Sequence, residues 1–288
     1  MLKKPGFSCF LIGDDHLLVQ CAEIILANGY IILGIISPLE AAKNLALVHG
    51  INYFDSLDIA TDALSTTKFD YLFSIINSYI LPIELLNRAQ KLSINFHNAP
   101  LPRYAGVHAL SWAILNNEHY HGVTWHVMTD TIDGGGILKQ TIFPIDPHET
   151  ALSLSVKCYE HALSLFEDLI NELSNQVLTA IEQDYTLRSY YDFNQKPHGN
   201  GWISWIASST NIERVVRALD LGHYHHNRLA FPKIILGNEV FIISKVHALD
   251  VPSVLTPGTI VQIRPDAWHI GYCHKAGQPE KSCFLMSC

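Results

Sequence analysis

Residues 7–36 read FSCFLIGDDHLLVQCAEIILANGYIILGII, and their pattern indicates the fold class. Two short apolar runs, Phe7–Ile12 and Ile31–Ile36, flank a segment, Leu17–Asn28, with an amphipathic helical pattern. Gly29 follows that segment, and glycine often stands directly after the end of a helix. A strand, a helix and a second strand in this order predict a parallel βαβ unit.

The same alternation continues along the chain. The sequence predicts strands at Tyr71–Ile76, Ser93–His97, Gly122–Met128 and Ile137–Phe143, and helices at Leu39–His49 and Pro82–Ala89. A long helix follows, with Thr150 as its N-cap. Its apolar face is predicted to contain Leu152, Val156, Tyr159, Leu163, Phe166, Ile170 and Leu173. We therefore expect residues 1–183 to form an α/β domain with a Rossmann-like, mostly parallel sheet and helices on both faces.

The composition changes after this domain, toward Tyr, Asn, His, Pro and Gly. We interpret residues 184–200 as a linker and residues 201–288 as a small β-rich domain, resembling a barrel of the OB type. Its predicted elements are a helix at Asn211–Leu221 and strands at Leu229–Leu236, Glu239–Val246, Gly258–Ile263, Trp268–Cys273 and Ser282–Ser287.

Composition excludes several classes of protein. Of the 288 residues, 48% are hydrophobic and 16% are charged, which is typical of a globular chain rather than a disordered one. The net charge of −8 gives no general attraction to nucleic acid or membrane, and no apolar run approaches the roughly 18 residues of a membrane span. The six cysteines are scattered, so we expect reduced thiols, no metal site and a cytoplasmic protein.

Three polar residues mark the chemistry. Asn95 and His97 are two positions apart on a predicted strand, so their side chains point to the same face. They stand at the carboxyl end of the strand, where open α/β sheets bind ligands. Asp133 lies on a glycine-rich loop that can fold back over this edge. We therefore predict one site containing Asn95, His97 and Asp133.

The motifs around these residues resemble those of a known family. Asn95-x-His97 is followed by Leu-Pro-x-Tyr104, by Gly-Val-Thr-x-His-x-Met128 and by Ile-Asp-Gly-Gly-x-Ile-Leu138. Over residues 70–145 the chain is similar to the 10-formyl-tetrahydrofolate-dependent formyltransferases. The resemblance implies that Asn95, His97 and Asp133 are the catalytic residues, without a metal. It also implies folate contacts from Ser78, Tyr79, Ile80, Leu81, Pro82, Asp130 and Gly134, and substrate contacts from Tyr104 and His108.

The chemistry of formyl transfer agrees with these residue types. An amine attacks the formyl carbon, and the oxyanion that forms needs a positioned hydrogen-bond donor, which the amide of Asn95 can supply. A group that titrates near neutrality suits the proton transfers, and histidine is the usual choice. We therefore assign proton transfer to His97 and orientation of that histidine to Asp133.

The acceptor amine is less well specified by the sequence. Tyr104–Ala113, Thr124–His126 and Asn227–Gly237 resemble the formylation domains of nonribosomal peptide synthetases. This resemblance implies an amino acid on a carrier-protein thioester, or a related small amine, and a place in a larger multidomain synthetase. The alternative is a nucleotide-linked amino sugar.

Other acceptors agree less well with the residues. A nucleic-acid partner, such as initiator transfer RNA, is not expected, because residues 201–288 hold eight Lys and Arg against six Asp and Glu. Ala105-Gly106 also replaces the Arg-Gly found in many transfer-RNA and sugar enzymes. Formyl-tetrahydrofolate hydrolases share the three catalytic residues but carry a further N-terminal domain, which we do not expect before a strand at Phe7. A non-catalytic folate-binding module would not need all three residues.

The remaining histidines are interpreted as structural. His126 lies on a predicted strand, where a structural role is favoured over a catalytic one. His223, His225 and His226 are close in sequence but have no neighbouring cysteine or carboxylate of the usual zinc-ligand spacing, so we interpret them as a surface turn.

Overall fold

The structure is a computed structural model, and it describes residues 6–222, 227–249, 259–263, 268–271 and 283–287. The chain divides into two compact units. Unit 1 comprises Met1–Gly106, Tyr120–Phe143 and Val156–Tyr190, and unit 2 comprises Val107–His119, Pro144–Ser155 and Tyr191–Cys288. The predicted consecutive domains at 1–183 and 201–288, with a linker at 184–200, stay a prediction.

The described elements are as follows. The strands are β1 Ser8–Ile12, β2 Ile31–Ile36, β3 Asn52–Phe54, β4 Phe69–Ile75, β5 Ala89–His97, β6 Ala105–Gly106, β7 Tyr120–Val127, β8 Ile137–Pro144, β9 Tyr190–Tyr191, β10 Lys233–Leu236, β11 Glu239–Ile242, β12 Lys245–Leu249, β13 Thr259–Ile263, β14 Trp268–Gly271 and β15 Cys283–Ser287. The α-helices are α1 His16–Ala27, α2 Glu40–His49, α3 Leu57–Thr66, α4 Ile83–Leu86, α5 Ala109–Leu115, α6 Ala151–Asn175 and α7 Ser209–Leu219.

Unit 1 is built on a seven-stranded sheet in the order β3-β2-β1-β4-β5-β7-β8. The first five strands of that order are parallel, and β7 is antiparallel to β5. The mostly parallel, Rossmann-like α/β sheet is therefore confirmed. Helix α1 shows the predicted local signals, because Asp15 caps it by accepting from the Leu17 N–H at 3.1 Å and Gly29 follows its end with φ +79°.

The predicted apolar face of the long helix α6 is partly wrong. Thr150 does cap the helix, since its Oγ1 accepts from the Ser153 N–H at 3.1 Å. However, Leu152 and Val156 are 39% and 53% exposed. The buried apolar residues are Ala151, Leu154, Cys158, Ala162, Phe166, Leu169, Ile170 and Leu173. The small Ala and Cys side chains fix this face, and a pattern read only from large apolar residues misplaces its first half.

Other elements differ from the prediction in length. The predicted helix Pro82–Ala89 shrinks to α4, because β5 already begins at Ala89 and pairs there with Phe69 of β4. The predicted strand Glu239–Val246 is two strands, β11 and β12, and Leu229–Leu236 shortens to β10. Helices α3 and α5 were not predicted.

Unit 2 contains two antiparallel sheets. One pairs β10 with β11, and the other has the order β12-β15-β14-β13. Its core contains Ile203, Ile212, Val216, Ile234, Ile243 and Val246. A small β-rich segment is therefore present, whereas its resemblance to an OB-type barrel stays a prediction.

Candidate active site

The end of β5 carries the predicted site in unit 1. Asn95 and His97 lie on this strand, and its antiparallel register places Asn95 opposite His126 of β7. The loop after β7 brings the carboxylate of Asp133 to within 3.6 Å of His97 Nδ1 and 3.4 Å of His126 Nε2. The structure thus joins the three predicted residues and adds His126 to them. We call these four residues the polar cluster.

His97 lies between two acceptors. Its Nε2 is 2.8 Å from the carbonyl oxygen of Tyr104, and its Nδ1 faces Asp133. Because a carbonyl only accepts, Nε2 carries a hydrogen, and a neutral ring then presents a lone pair to the carboxylate. An imidazolium satisfies both partners. The surroundings therefore allow His97 to take up and hold a proton.

His126 links Asn95 to Asp133. Its Nδ1 lies 2.9 Å from the carbonyl oxygen of Val127 and so carries a hydrogen, which leaves Nε2 as an acceptor in the neutral ring. Nε2 is 3.2 Å from Asn95 Nδ2, so a neutral His126 accepts from the amide. This bond uses one amide hydrogen and leaves the other for a second acceptor. A protonated His126 would donate to Asp133 instead.

Asp133 is held ionised by its neighbours. Its Oδ2 accepts from the Gly106 N–H at 2.8 Å, and its backbone has φ +50°. Burial on its own would raise the pKa of Asp133, but the positive charge of a protonated His97, the charge and hydrogen bond that His126 supplies when it is protonated, and the Gly106 N–H lower that pKa well below its ordinary value. The cluster therefore contains a fixed negative charge between two imidazoles.

The loop that carries Asp133 is fastened by the segment that follows α6. Gln183 Nε2 donates to the carbonyl oxygens of Asp133 at 2.9 Å and Gly135 at 2.7 Å. Arg188 donates to the Asp133 carbonyl oxygen at 3.2 Å. A Cβ on Gly135 would collide with the carbonyl oxygen of Val127, so only glycine fits there. Sequence reasoning missed these supports, because no local pattern pairs residues about 50 positions apart.

We expect a distinctive pH dependence of stability at Asp133. A carboxyl with a lowered pKa in the folded state stabilises the protein above its unfolded pKa of about 4, and this stabilisation is lost as the pH falls toward the folded value. Asp133→Asn should therefore lower the free energy of unfolding at pH 7. The difference in this free energy between the variant and the wild type should become smaller below about pH 4. Urea unfolding at stepped pH measures this, with Asp130→Asn, exposed on the same loop, as the control. A difference in the free energy of unfolding that stays constant down to pH 3 would contradict a lowered pKa of Asp133 in the folded protein.

We also predict that His126 positions Asn95. His126→Leu removes the acceptor for the amide, and a misplaced catalytic group can cost about 100-fold in rate, so turnover should fall by roughly 10- to 100-fold. His126→Gln offers an acceptor oxygen and should restore part of the loss. The steady-state readout is a fall in kcat with little change in KM for the donor. Equal turnover in wild type, His126→Leu and His126→Gln would leave His126 a purely structural residue.

The predicted folate loop, Ser78–Pro82, follows β4. Its Ser78 N–H is bonded to Asp14 Oδ2 at 3.0 Å, and Pro82 precedes α4. Ile80 is 81% exposed, whereas the Leu81 side chain is buried in the core. Neither the N–H nor the C=O of Ile80 or Leu81 bonds to another described residue. These free backbone groups fit the predicted recognition of a pterin edge.

The other residues predicted to contact folate or substrate lie in different parts of the structure. Tyr104 is buried, has φ +61°, and supplies the carbonyl oxygen that meets His97. Asp130 is exposed and accepts from the Thr131 hydroxyl at 3.4 Å, and Gly134 accepts from the Tyr185 hydroxyl at 2.8 Å. His108 belongs to unit 2, where it precedes α5. The roles assigned to these residues stay predictions.

The part of the chain that the structure describes contains neither a candidate metal site nor a membrane-spanning helix. No group of three or more His, Cys, Asp or Glu side chains there is arranged to hold a metal ion. None of the described helices is long and apolar enough to cross a membrane. His223, His225 and His226 lie outside the described residues.

Comparison with known proteins identifies the segment around the cluster. Residues 58–169 match the family model described as formyl transferase, and this range contains the whole polar cluster. This segment of the chain is therefore similar to that family. The chain is also 31% identical over 255 residues to the bifunctional polymyxin resistance protein ArnA of Wigglesworthia glossinidia brevipalpis. That alignment covers 82% of this chain but only 37% of the length of ArnA.

Two solved structures share the fold. The N-formyltransferase from Helicobacter canadensis, in complex with folinic acid and dTDP-3-aminofucose, superposes with a TM-score of 0.73 at 21% identity, covering 98% of this chain and 99% of that one. WlaRD, a sugar 3N-formyl transferase with dTDP and 5-N-formyl-THF, gives a TM-score of 0.71 at 22% identity, covering 98% and 97%. At such identities the likeness establishes the fold alone.

Proposed function

We propose that the protein transfers the formyl group of 10-formyl-tetrahydrofolate to the primary amine of a nucleotide-linked amino sugar. The observation that carries formyl transfer is the polar cluster, which supplies an amide donor, a proton-holding imidazole and a fixed carboxylate within one family segment. The acceptor is inferred from relatives: two fold neighbours are N-formyltransferases whose structures contain dTDP or a dTDP-linked amino sugar. These relatives favour the sugar acceptor over the carrier-bound amino acid that the sequence analysis ranked first.

Three residues of the polar cluster, Asn95, His97 and Asp133, have a step in this reaction. Asn95 Nδ2 donates its second hydrogen to the formyl oxygen, which becomes an oxyanion when the amine attacks and the new C–N bond forms. His97 takes the proton that the attacking nitrogen loses, and Asp133 stabilises the imidazolium. His97 then returns the proton to the folate nitrogen as its bond to the formyl carbon breaks. The proton lost by the amine thus ends on the folate nitrogen, and tetrahydrofolate is released as the leaving group.

The burial of the cluster agrees with a small electrophile. Besides its oxygen and the folate nitrogen, a formyl carbon carries only a hydrogen, so a site with little free space can accept it. The His97 and Asp133 side chains are about nine-tenths buried. Burial strengthens each electrostatic interaction, because water screens it less. The donor is expected to lie along Ser78–Pro82, and this placement is part of the proposal.

A direct assay distinguishes the acceptors. The protein is incubated with 10-formyl-tetrahydrofolate and either a dTDP-linked 3-amino sugar, a UDP-linked 4-amino sugar, or an aminoacyl thioester of phosphopantetheine. Mass spectrometry then detects addition of one CO to the acceptor, and absorbance follows the release of tetrahydrofolate. Formylation of a sugar nucleotide that is lost in His97→Ala supports the proposal. Formylation of the thioester alone favours a synthetase domain, and release of formate without an acylated amine indicates a hydrolase.

A further inference from the structure

Ser74 carries a buried hydroxyl near the carboxyl end of β4. The residue is only 1% exposed, and its Oγ has no hydrogen-bond partner among the described residues. Most buried polar side-chain atoms in proteins are hydrogen-bonded, and a buried one without a partner destabilises the fold. Packing alone gives no reason for a serine at this position, because alanine would occupy it without that cost.

The register of the sheet identifies the polar side chain nearest to this hydroxyl. Ser74 pairs with Ile12 of β1 on one side and with Asn95 of β5 on the other. Neighbouring strands lie about 4.8 Å apart, and paired residues point to the same face. Leu72, two positions earlier on β4, also points to this face. Of these three neighbours only Asn95 is polar.

The diagonal polar neighbours of Ser74 on β5 are already bonded. Ser93 Oγ donates to the Leu86 carbonyl oxygen at 2.8 Å. Both ring nitrogens of His97 face the acceptors described above, one in the polar cluster and one on the backbone. Asn95 is therefore the side chain that remains as a partner for the Ser74 hydroxyl.

The rest of the surroundings is hydrocarbon. Ile12 and Leu72 belong to a core cluster that also contains Leu81 of the predicted folate loop. A water in such a place would lack the roughly two to four polar partners that buried waters usually have. The Ser74 hydroxyl therefore depends on a side chain, and it lies on the sheet face against which the folate loop packs.

The amide of Asn95 has an acceptor without a partner. Its Nδ2 is 3.2 Å from His126 Nε2, whereas no residue in the described part of the chain donates to its Oδ1. A serine hydroxyl is a donor whose hydrogen rotates to meet an acceptor. A donor and an acceptor that both lack partners are thus neighbours in the sheet, and the half-buried Asn95 side chain has room to turn.

We propose that Ser74 is a positioning residue for Asn95, and that its hydroxyl donates to Asn95 Oδ1 in the transition state of formyl transfer. With Oδ1 held by Ser74 and one Nδ2 hydrogen held by His126, the amide plane is fixed. The direction of the second Nδ2 hydrogen is then fixed too, and the proposed reaction uses this hydrogen for the formyl oxygen. Donation to Oδ1 also polarises the amide, which strengthens the N–H that stabilises the oxyanion.

This proposal rests on the proposed function, and its test compares two buried serines on the same face. Ser74→Ala should lower kcat roughly three- to tenfold, as expected for one hydrogen bond. KM for the donor should stay near the wild-type value, because the bond is made in the transition state. The substitution should not lower Tm, since the hydroxyl that it removes has no partner. Ser93→Ala removes a bonded hydroxyl, so it should lower Tm and spare kcat.

Two further variants test whether Ser74 acts through Asn95. Ser74→Cys is similar in size but has a thiol, which is a weak donor, so its kcat should resemble that of Ser74→Ala. In the Asn95→Ala background, Ser74→Ala should cause no further loss, because the amide that it positions is gone. Circular dichroism and thermal unfolding establish that each variant is folded.

The outcomes distinguish the role of Ser74 from the activity. Wild-type kcat in folded Ser74→Ala or Ser74→Cys, a lowered Tm like that of Ser93→Ala, or an undiminished loss in the Asn95→Ala background would each overturn the role and leave formyl transfer standing. Transfer to a sugar, a thioester or water passes through the same oxyanion, so a different acceptor would refute the proposed function and leave the role of Ser74 standing. No formyl transfer to any of them would overturn both.

Discussion

Replacing His97 with alanine is expected to reduce formyl transfer by roughly 100- to 10,000-fold, the range typical of a positioned acid or base. The reason is specific to the cluster. His97 has a carbonyl at 2.8 Å from one ring nitrogen and the Asp133 carboxylate at 3.6 Å from the other, so it can hold the proton that moves from amine to folate. The loss should appear in kcat and in kcat/KM alike, because the step occurs only in the transition state.

A second buried histidine provides the matched control for this experiment. His121 of β7 is fully buried, and its Nε2 also lies 2.8 Å from a carbonyl oxygen, that of Asn98. His121→Ala removes the same atoms from a similar environment without removing a member of the cluster. We expect it to lower the free energy of unfolding but to spare most of the turnover of the folded enzyme. A folded His97→Ala protein with near-normal turnover would show that the proton passes through another group.

The part of the site that the sequence could predict depends on one strand and one fold rule. The alternation of side chains along a strand puts Asn95 and His97 on one face, and the carboxyl end of a parallel strand is where α/β sheets bind ligands. Neither rule requires knowledge of which strands pair with each other. The sequence also predicted that the Asp133 loop belongs to the site, because its glycines allow the backbone to approach another group closely. In the structure Gly135 approaches the Val127 carbonyl oxygen in this way.

The part that the sequence could not predict depends on register and on distant contacts. His126 was interpreted as structural, and its contact with Asn95 follows only from the antiparallel pairing of β5 with β7. A shift of that register by one residue would turn His126 to the opposite face of the sheet. Similarly, Gln183 and Arg188 hold the Asp133 loop across about 50 positions of sequence. Arg188 falls in residues 184–200, which the sequence analysis treated as a linker.

The same distinction applies to the fold. Strand β2 was predicted with its observed bounds. It is a continuous apolar run, with Gly29-Tyr30 before it and Ser37-Pro38 after it. Strand β3 has only three residues, and its identity comes from pairing with β2 rather than from its own pattern. Short elements of this kind are fixed by their partners, so a local pattern cannot identify them.

Replacing Asn95 is expected to reduce turnover by about 100- to 1,000-fold, the usual cost of losing one oxyanion donor. Asn95 Nδ2 has two hydrogens, and the 3.2 Å contact with His126 Nε2 uses one of them. The other is left for the formyl oxygen, whose charge grows as the amine attacks. Asn95→Ala tests the loss of the donor, and Asn95→Asp keeps the shape but carries no N–H. Both should lower kcat far more than they raise KM for the donor.

The combination of variants then tests whether the cluster acts as a unit. Asn95→Ala/His97→Ala should lose less than the product of the two single losses, because the remaining group has little to stabilise once its partner is gone. Asn52→Ala is the matched control, since the Asn52 amide also donates a hydrogen bond, to the Leu33 carbonyl oxygen at 2.9 Å, but lies on β3. If Asn95→Asp turns over at the wild-type rate, backbone N–H groups must stabilise the oxyanion. The Gly106 N–H cannot be that donor, because it already donates to Asp133. That result would move the search to the free backbone groups of Ile80 and Leu81.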